Sequence, residues 1–322
     1  MKKVFITRKI PDIGISMLKN RGYEVDVSPY DRPLSKNELI DFLHKKPYDA
    51  VLTLLTDMVD AEVYDAAPTV KIFANYAIGF NNFNVEEGKK RGIALTNTPG
   101  GGADRVAEHA WGLILALSCR IVEGDEFVRA GKYNGWDPMI FHGIKVAGKT
   151  LGLIGAGRIG SEVARIASKG FGMRIAYHDI ARNQKIESLH GASFWPTIED
   201  VLKQADIISI HVPLNESTHH LIDASHFKLM KPTAFVINTS RGPVVDEQAL
   251  FTALQNKVIA GAGLDVLEFE PRPVKGLAEL PNVIITPHIA SATEEARQDM
   301  AILSTQNIIN ILEGGVPANM VY

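Results

Sequence analysis

The glycine-rich run GAGRIG at positions 155–160 constrains the fold of this 322-residue chain more than any other segment. An apolar, strand-like stretch from Thr150 to Ile154 precedes the run, and a helix-like pattern follows it. A second strand pattern, Met173 to His178, ends at Asp179. A G-x-G-x-x-G alone is weak evidence, because glycine-rich turns are common. Its position between a strand and a helix predicts a βαβ unit that binds a dinucleotide.

Each glycine of the run has a separate expected role. Gly155 permits the tight turn, Gly157 lets the backbone approach a pyrophosphate, and Gly160 lets the helix pack closely on the strand. Arg158 and Ile159 open the helix, whose N-terminus would face the phosphates. We therefore predict that these five residues bind the cofactor.

Asp179 indicates which dinucleotide binds. A carboxylate at the end of the second strand accepts hydrogen bonds from the adenosine ribose hydroxyls and would repel a 2′-phosphate, which favours NAD over NADP. Arg182, three positions on, could offer a partner to such a phosphate. We interpret Arg182 mainly as a solvated loop charge.

Composition narrows the classes of function. With 46% hydrophobic and 22% charged residues, the chain is ordinary globular material with room for two domains. The formal net charge of −3 and the lack of a basic stripe argue against a nucleic-acid partner. The longest apolar run, from Gly112 to Cys119, is too short to cross a bilayer, so no membrane partner is expected. A single cysteine and no signal-peptide pattern fit a reducing, cytoplasmic setting.

The first hundred residues form an α/β pattern of their own without a glycine fingerprint. Strand patterns at 4–7, 24–27, 50–55, 70–75 and 93–96 alternate with helical ones. The segment TPGGG at 98–102 is the clearest break between two domains. The helical pattern from Thr293 to Leu312 is too short to be a domain. We expect the last helix to pack on the N-terminal half.

The expected fold is therefore α/β, with two doubly wound parallel-sheet domains joined by hinges near Pro99 and Ser291. The NAD-binding Rossmann domain would span 100–290. The flavodoxin-like substrate domain would be discontinuous, over 1–99 and 291–322.

Chemically distinctive residues follow the later strand patterns at 234–238, 261–266 and 283–286. Because ligands bind outside the carboxyl ends of parallel strands, Arg241, Glu270 and His288 could converge on one edge. Arg241 can offer a planar fork to a carboxylate. His288 can deliver the proton that hydride transfer to a carbonyl requires, and Glu270 would stabilise its imidazolium.

Two other kinds of site are not expected. His219 and His220 are adjacent and lack partners at ligand spacing, so we predict no metal site. Ser240 lies beside Arg241 without a G-x-S-x-G elbow around it, so a nucleophilic serine is not predicted.

Specific motifs along essentially the whole chain resemble those of the NAD(P)-dependent D-2-hydroxyacid dehydrogenases. Besides the glycine run, they are NYAIGFNN at 75–82, VAEH at 106–109, HVPL at 211–214, NTSRG at 238–242, GLDV at 263–266, EP at 270–271 and PHI at 287–289. The resemblance implies that Arg241 binds and polarises the substrate and that His288 is the acid/base, with Glu270 as its partner. It also implies that Asp265 holds the nicotinamide carboxamide.

The same resemblance implies further contacts. The implied NAD contacts also include Val212, Pro213, Thr218 and Thr239. Leu55 and the backbone amides around Ile78 and Gly79 would bind the substrate carboxylate. Members of the family are typically homodimers, with the helix from Ala103 at the contact.

Departures from related sequences narrow the predicted activity. Glu270 stands where formate dehydrogenases carry glutamine, and no lysine lies near Ile78 as in phosphite dehydrogenases. The 18-residue separation of Glu270 and His288 is similar to that of glyoxylate and hydroxypyruvate reductases. Phosphoglycerate dehydrogenases often add a regulatory C-terminal domain, which we do not expect in a chain that ends at Tyr322. We predict NADH-dependent reduction of a small 2-oxo acid of the glyoxylate or hydroxypyruvate type to the D-2-hydroxy acid, and the reverse oxidation.

Other activities stay open. Ile140 stands where hydroxypyruvate reductases often have tryptophan, and Asn81 stands where aspartate is usual. A 2-ketogluconate reductase or a phosphoglycerate dehydrogenase-like activity is therefore an alternative. A NADH-sensing protein of the corepressor type is a further one.

Overall fold

The computed structural model describes residues 1–99 and 102–322. Gly100 and Gly101, part of the predicted break, lie outside the described residues. The chain divides into two compact units, Met1–Gly101 with Ala292–Tyr322 and Gly102–Ser291. Assigning the substrate to the first unit and the dinucleotide to the second remains a prediction.

The secondary structure alternates between strands and helices along the chain. The elements before residue 100 are β1 (Lys3–Ile6), α1 (Asp12–Asn20), β2 (Glu24–Val27), α2 (Lys36–Lys45), β3 (Ala50–Leu54), α3 (Ala61–Asp65), β4 (Ile72–Tyr76), α4 (Val85–Lys90) and β5 (Ala94–Thr96). The second unit contains α5 (Ala103–Ser118), α6 (Ile121–Arg129), β6 (Thr150–Ile154), α7 (Arg158–Phe171), β7 (Arg174–His178), α8 (Gln184–His190), β8 (Ser193–Phe194), α9 (Ile198–Gln204), β9 (Ile207–Ile210), α10 (Ala224–Phe227), β10 (Phe235–Asn238), α11 (Glu247–Gln255), β11 (Gly261–Leu264) and β12 (Val283–Ile285). The last helix is α12 (Glu294–Leu312).

The first unit is built on a five-stranded parallel sheet in the order β2-β1-β3-β4-β5, the order of flavodoxin-like folds. Side chains alternate across the sheet: Val4 and Ile6 lie in one buried cluster and Phe5 in the other. Helix α12 contributes Met300 and Ile308 to the first cluster. Both faces of the sheet are thus covered, as a parallel sheet requires.

The second unit is built on a seven-stranded parallel sheet in the order β12-β11-β10-β9-β6-β7-β8. Starting from β6, this is the doubly wound order of dinucleotide-binding folds with one strand added. The strands after β6 are added on one side as far as β8, and the order then switches to the other side of β6 with β9. Val236 packs on one face, and Phe235 and Ile237 pack on the other. The glycine turn after β6 therefore lies at the switch point where ligands bind.

The two parallel sheets confirm the predicted α/β fold class. Strand β11 ends at Leu264, two residues before the predicted end, and the side chain of the next residue, Asp265, accepts hydrogen bonds from the segment after β12. Strand β8 is absent from the predicted set, since two residues carry no alternating pattern. None of the described helices combines the length and apolarity that a membrane span needs.

Candidate active site

The turn after β6 has the geometry that the glycine run predicts. Gly155 has φ +93°, and a Cβ there would lie 2.8 Å from the carbonyl carbon and oxygen of His211. A Cβ on Gly160 would lie 2.2 Å from the Gly155 carbonyl oxygen, so α7 packs against the turn at a distance that only glycine permits. Around Gly157, by contrast, the described residues other than its two chain neighbours place no atom within 4 Å of a Cβ position. The turn therefore leaves an open cradle above Gly157.

The cradle has the electrostatics that a pyrophosphate requires. Helix α7 is 14 residues long, and its N-cap Gly157 offers no side chain to the first-turn amides. These amides have no partners within the helix, and the helix dipole places partial positive charge on them. The residues present thus fit a dinucleotide, with Arg158 exposed at the rim of the turn.

Side chains hold both the backbone amide and the backbone carbonyl of Ala156. Oδ2 of Asp179 accepts a hydrogen bond from the Ala156 amide at 2.7 Å, and its Oδ1 accepts one from the Ile180 amide at 2.7 Å. Nδ2 of Asn183 donates to the Ala156 carbonyl at 2.6 Å. Asn183 also caps α8, and this capping position is the one sequence signal that could have drawn attention to it. The turn is therefore held in place before any ligand binds.

Arg182 is not simply the solvated charge that the sequence suggested. Its Nε and Nη2 donate to the Glu187 carboxylate at 3.1 and 2.8 Å, and its guanidinium carbon lies 5.6 Å from the Phe194 ring centroid. The guanidinium is thus paired with a carboxylate on α8, although the side chain stays 64% exposed. Its pairing with Glu187 competes with any phosphate for the same donors.

The other predicted cofactor residues follow neighbouring strands. Val212 and Pro213 follow β9, and Thr239 follows β10. The hydroxyl of Thr218 donates to the Pro213 carbonyl at 2.6 Å, so it closes the loop after β9. Oγ1 of Thr239 is buried, and within the described residues it has no hydrogen-bond partner. A buried hydroxyl with an unused donor at the carboxyl end of a strand again fits a polar ligand.

The segments after β11 and β12 bring Glu270 and His288 together. Nδ1 of His288 lies 3.2 Å from both carboxylate oxygens of Glu270, and the amide of Leu267 donates to Glu270 Oε1 at 3.2 Å. Partial burial raises the pKa of Glu270. The hydrogen bond and charge of His288, the Leu267 amide and the charge of Arg241 outweigh burial and hold the pKa of Glu270 below its ordinary value. Glu270 is therefore a carboxylate at neutral pH.

Gly242 explains how Arg241 comes close to this pair. A Cβ on Gly242 would lie 1.9 Å from the Leu267 carbonyl oxygen and 2.4 Å from the Glu268 nitrogen. The loop after β10 thus lies directly on the Leu267–Glu268 peptide, two residues before Glu270. Burial lowers the pKa of Arg241, and the charge of Glu270 opposes this effect. An arginine stays protonated in proteins, so a partly buried cation results.

Asp265 holds the segment that carries His288. Its carboxylate accepts hydrogen bonds from the amides of Ile289 and Ala290, at 2.9 and 2.8 Å, and from the Thr286 hydroxyl at 2.6 Å. Burial raises the pKa of Asp265, but its hydrogen bonds to His109, Thr286 and the two amides outweigh this and lower it. Asp265 is only 1% exposed. Its contacts in this structure position His288, and a contact with the nicotinamide remains a prediction.

His109 belongs to the same network, although nothing in the sequence beyond its motif pointed to a role. Its Nε2 lies 2.9 Å from Oγ1 of Thr286 and 3.3 Å from Oδ1 of Asp265. Helix α5, which carries His109, packs against β10 and β11. His109 and Thr286 are 177 positions apart, so no local pattern could have revealed the contact.

The prediction of no metal site considered only partners close in sequence, and the structure brings a more distant one. His219 and His220 do have a partner, Glu268, 48 residues from His220 in sequence. Nε2 of His220 lies 2.6 Å from Oε1 of Glu268, and one ligand atom from each of the three residues lies within 4.8 Å of the others. Glu268 is therefore not a free loop carboxylate.

In the first unit, Ile78 and Gly79 lie in the loop after β4, and their carbonyls are turned inward. Nδ2 of Asn97 donates to the Ile78 carbonyl at 2.6 Å, and Nδ2 of Asn75 donates to the Gly79 carbonyl at 2.9 Å. In a trans peptide the C=O and the next N–H point in opposite directions, so the amides of Gly79 and Phe80 point away from these donors. This orientation suits the binding of an anion.

A buried polar network ties this loop to the loop after β3, which carries Leu55. Nδ2 of Asn82 donates to the carbonyls of Leu54 and Asp57 at 3.1 and 3.0 Å, and its Oδ1 accepts from Asn75 at 2.9 Å. The Asp57 carboxylate accepts from the Leu54 amide at 2.7 Å. Asn82 is 5% exposed, and beyond its place in a motif no sequence pattern pointed to a role for it. It fixes the spacing of the two loops predicted to bind substrate.

Comparisons with known proteins agree with this geometry. The profile of the family described as "D-isomer specific 2-hydroxyacid dehydrogenase, NAD binding domain" matches residues 111–290. A glyoxylate reductase of Thermococcus litoralis is 47% identical over 99% of this chain and 96% of its own length. The crystal structure of the TT0316 protein from Thermus thermophilus has a TM-score of 0.92 at 37% identity, covering 99% of this chain and 100% of that one.

A further solved structure carries ligands. It is an NADPH-dependent glyoxylate/hydroxypyruvate reductase from Sinorhizobium meliloti in complex with NADP and malonate, with a TM-score of 0.86 and 30% identity over 99% of this chain and 96% of that one. The glycine turn, the paired Glu270 and His288, and relatives that match over 96% or more of their own length all point to the same family. The chain belongs to the D-isomer specific 2-hydroxyacid dehydrogenase family, and it is an oxidoreductase with a nicotinamide cofactor.

Proposed function

We propose that this chain reduces glyoxylate or hydroxypyruvate with NADH to the corresponding D-2-hydroxy acid, and that it catalyses the reverse oxidation. The observation that carries the proposal is the pairing of His288 Nδ1 with the Glu270 carboxylate, beside Arg241 and at the same sheet as the glycine turn. The names of the relatives, glyoxylate reductase and glyoxylate/hydroxypyruvate reductase, support the substrate class.

His288, Glu270 and Arg241 each have a different role in the proposed reaction. Because Nδ1 of His288 faces Glu270, Nε2 is the nitrogen left to give a proton to the substrate oxygen during reduction. Glu270 stabilises the imidazolium and fixes the ring orientation. Arg241 binds the substrate and polarises its carbonyl through a charge-assisted hydrogen bond. When bound, the reduced nicotinamide supplies the hydride.

The residues proposed to hold the cofactor are those of the glycine turn and the adjoining strand ends: Gly155, Gly157, Arg158, Ile159, Gly160, Asp179, Val212, Pro213, Thr218, Thr239 and Asp265. Leu55 and the amides around Ile78 and Gly79 are assigned to the substrate carboxylate. Hydrogen bonds from backbone amides to a carboxylate are charge-assisted and hence strong.

NADH is the preferred cofactor in this proposal. The Asp179 carboxylate lies at the end of β7, where it would repel a 2′-phosphate, and the Arg182 donors bind Glu187. The Sinorhizobium relative, by contrast, is NADPH-dependent. We expect a higher kcat/KM with NADH than with NADPH, and the reverse order would refute the role of Asp179.

A homodimer in the cytoplasm completes the proposal. Helix α5 buries most of its apolar side chains inside its own unit, whereas α6 and the segment after it expose several. The exposed apolar residues are Ile121, Val122, Val128, Tyr133, Trp136 and Met139. Trp136 is 83% exposed, and exposed apolar side chains concentrated in one segment are typical of a protein interface. Light scattering should give a mass twice that of one chain, which is 35.2 kDa. The Val128→Asp variant should give a mass closer to that of one chain.

A substrate panel tests the proposed activity. NADH oxidation is followed with glyoxylate, hydroxypyruvate, pyruvate, phenylpyruvate and 2-ketogluconate, with His288→Asn as the inactive control. The proposal expects the highest kcat/KM with glyoxylate or hydroxypyruvate and a D product from hydroxypyruvate. A clear preference for 2-ketogluconate, or an L product, would overturn it.

A further inference from the structure

The cluster of His219, His220 and Glu268 lies outside the machinery assigned above. Two imidazoles and one carboxylate are the ligand set of many zinc sites in which a fourth position stays open to water. The rings of His219 and His220 have centroids 4.1 Å apart, and His219 is exposed. One ligand atom from each of the three residues already lies within 4.8 Å of the others.

Two of the three side chains are held in place by the fold. The backbone of His220 has φ +51°, and its amide donates to the Pro243 carbonyl at 2.8 Å. Oε2 of Glu268 accepts from the Glu247 amide at 3.0 Å, which leaves Oε1 directed at His220. A ligating carboxylate that is itself hydrogen-bonded is the usual arrangement around protein-bound metals.

Small movements would complete the coordination. Zinc binds nitrogen and carboxylate oxygen at about 2.0–2.2 Å, so ligand atoms in a tetrahedron lie roughly 3.3 Å apart. Nε2 of His220 and Oε1 of Glu268 are 2.6 Å apart and would have to separate, while the exposed ring of His219 would turn toward them. The proton between His220 and Glu268 would leave, because a metal takes the nitrogen lone pair.

We infer that His219, His220 and Glu268 form a binding site for Zn²⁺, and that zinc bound there lowers turnover. Glu268 lies two residues before Glu270 and on the peptide that contacts Gly242. Its amide also donates to Glu247 at 2.6 Å. Movement of Glu268 toward a metal would therefore be passed to the segment that places Glu270 against His288. This effect on turnover rests on the proposed function, whereas zinc binding does not.

Zinc binding is measured directly on the full-length protein. After treatment with a chelator and its removal, Zn²⁺ is titrated in competition with a chromophoric zinc indicator. His219→Asn removes the exposed ligand, and Glu268→Gln keeps an acceptor for the Glu247 amide while it removes the charge. His44→Asn changes an exposed histidine in the other unit and serves as the matched control.

The expected result is one equivalent of zinc in the wild type and in His44→Asn, with at least tenfold weaker binding in His219→Asn and in Glu268→Gln. The inference is overturned if the wild type binds no stoichiometric zinc, or if all four proteins bind it equally well. In the activity assay, zinc should inhibit the wild type and spare His219→Asn. Equal inhibition of both would refute the link to turnover. Inactivity without zinc on every 2-oxo acid would count against the proposed function and leave the binding result standing.

Discussion

Nδ1 of His288 lies 3.2 Å from both carboxylate oxygens of Glu270. The two residues are 18 positions apart, and different segments hold them: the Leu267 amide binds Glu270, and Asp265 binds the amides that follow His288. Because each side chain is fixed independently, the pair is preorganised before substrate arrives. Preorganisation of this kind reduces the reorganisation needed during proton transfer.

Replacing the imidazole should remove the proton donor and leave the fold intact. His288→Asn is expected to lower turnover by roughly 10²–10⁴-fold, the range of general acid catalysis. NADH affinity, measured by fluorescence titration, should stay within about twofold, because His288 is not assigned to the cofactor. Turnover near that of the wild type would remove His288 from the mechanism.

The negative charge of Glu270 should contribute to turnover throughout pH 5–8. Its pKa lies below the ordinary value of 4.5, so the folded protein keeps the carboxylate charged above that pH and loses the charge only at lower pH. Glu270→Gln imitates the protonated state at every pH. We expect its turnover to be low throughout pH 5–8, while the wild type loses this contribution only below about pH 4.5. A variant profile that rejoins the wild-type curve at neutral pH would contradict the assigned role.

Two glycines of the turn allow the effect of filling the cradle to be distinguished from the effect of disturbing the packing of α7. Within the part of the chain that the structure describes, the methyl group of Gly157→Ala meets no atom within 4 Å beyond the neighbouring residues, so the protein should fold. The methyl group would, however, occupy the cradle and raise KM for NADH. Gly160→Ala would place a Cβ 2.2 Å from a backbone oxygen and should lower the thermal midpoint as well. Thermal unfolding and NADH kinetics on both variants make the comparison. An unchanged KM for NADH in Gly157→Ala would argue against the cradle.

Asn82 should affect the binding of the oxo acid and not the binding of the cofactor. Asn82→Ala leaves the buried carbonyls of Leu54 and Asp57 without their donor, which should cost about 1–3 kcal/mol. The two loops would lose their fixed spacing, so KM for the oxo acid should rise while KM for NADH stays constant. Asn84→Ala is the matched control, because the Asn84 side chain caps α4. Equal rises in KM for the oxo acid in both variants would remove the positioning role of Asn82.

Most of the fold was predictable because its signals are local. The strands of both sheets carry apolar runs, and Gly155 and Gly160 occupy positions where any side chain would collide with backbone. The order of strand, glycine turn, helix and Asp179 was sufficient to predict the dinucleotide-binding unit. Short elements such as β8 were beyond reach, since two residues carry no periodicity.

The candidate site was predictable only where one residue type implies one chemistry. Arg241, Glu270 and His288 could be named because each follows a strand and carries a charge or a proton. The contacts that support them join distant parts of the chain. His109 meets Thr286 across 177 residues, and Gly242 meets the Leu267 carbonyl through a close backbone approach. Such pairs depend on tertiary packing, and no local pattern in the sequence marks them.

His211 should make the protein sensitive to mild acid. Its Nε2 lies 2.8 Å from the Ser209 hydroxyl, and removal from water lowers the pKa of His211 from 6.5 to about 3. Between these values the unfolded chain binds a proton that the folded protein does not, so stability falls as the pH drops below 6.5. The slope from this one group is at most about 1.4 kcal/mol per pH unit.

A glutamine at the same position isolates this effect. His211→Gln keeps a polar group near Ser209 but cannot titrate, so its stability should depend less on pH than that of the wild type. Unfolding midpoints in urea at about pH 6.5, 5.5 and 4.5 span the window in which the unfolded histidine takes up its proton. As the pH falls, the urea midpoint of the variant should rise steadily relative to that of the wild type. All other titrating groups are shared, so this difference reports on His211 alone. Parallel curves would show that His211 takes up its proton equally in the folded and unfolded states.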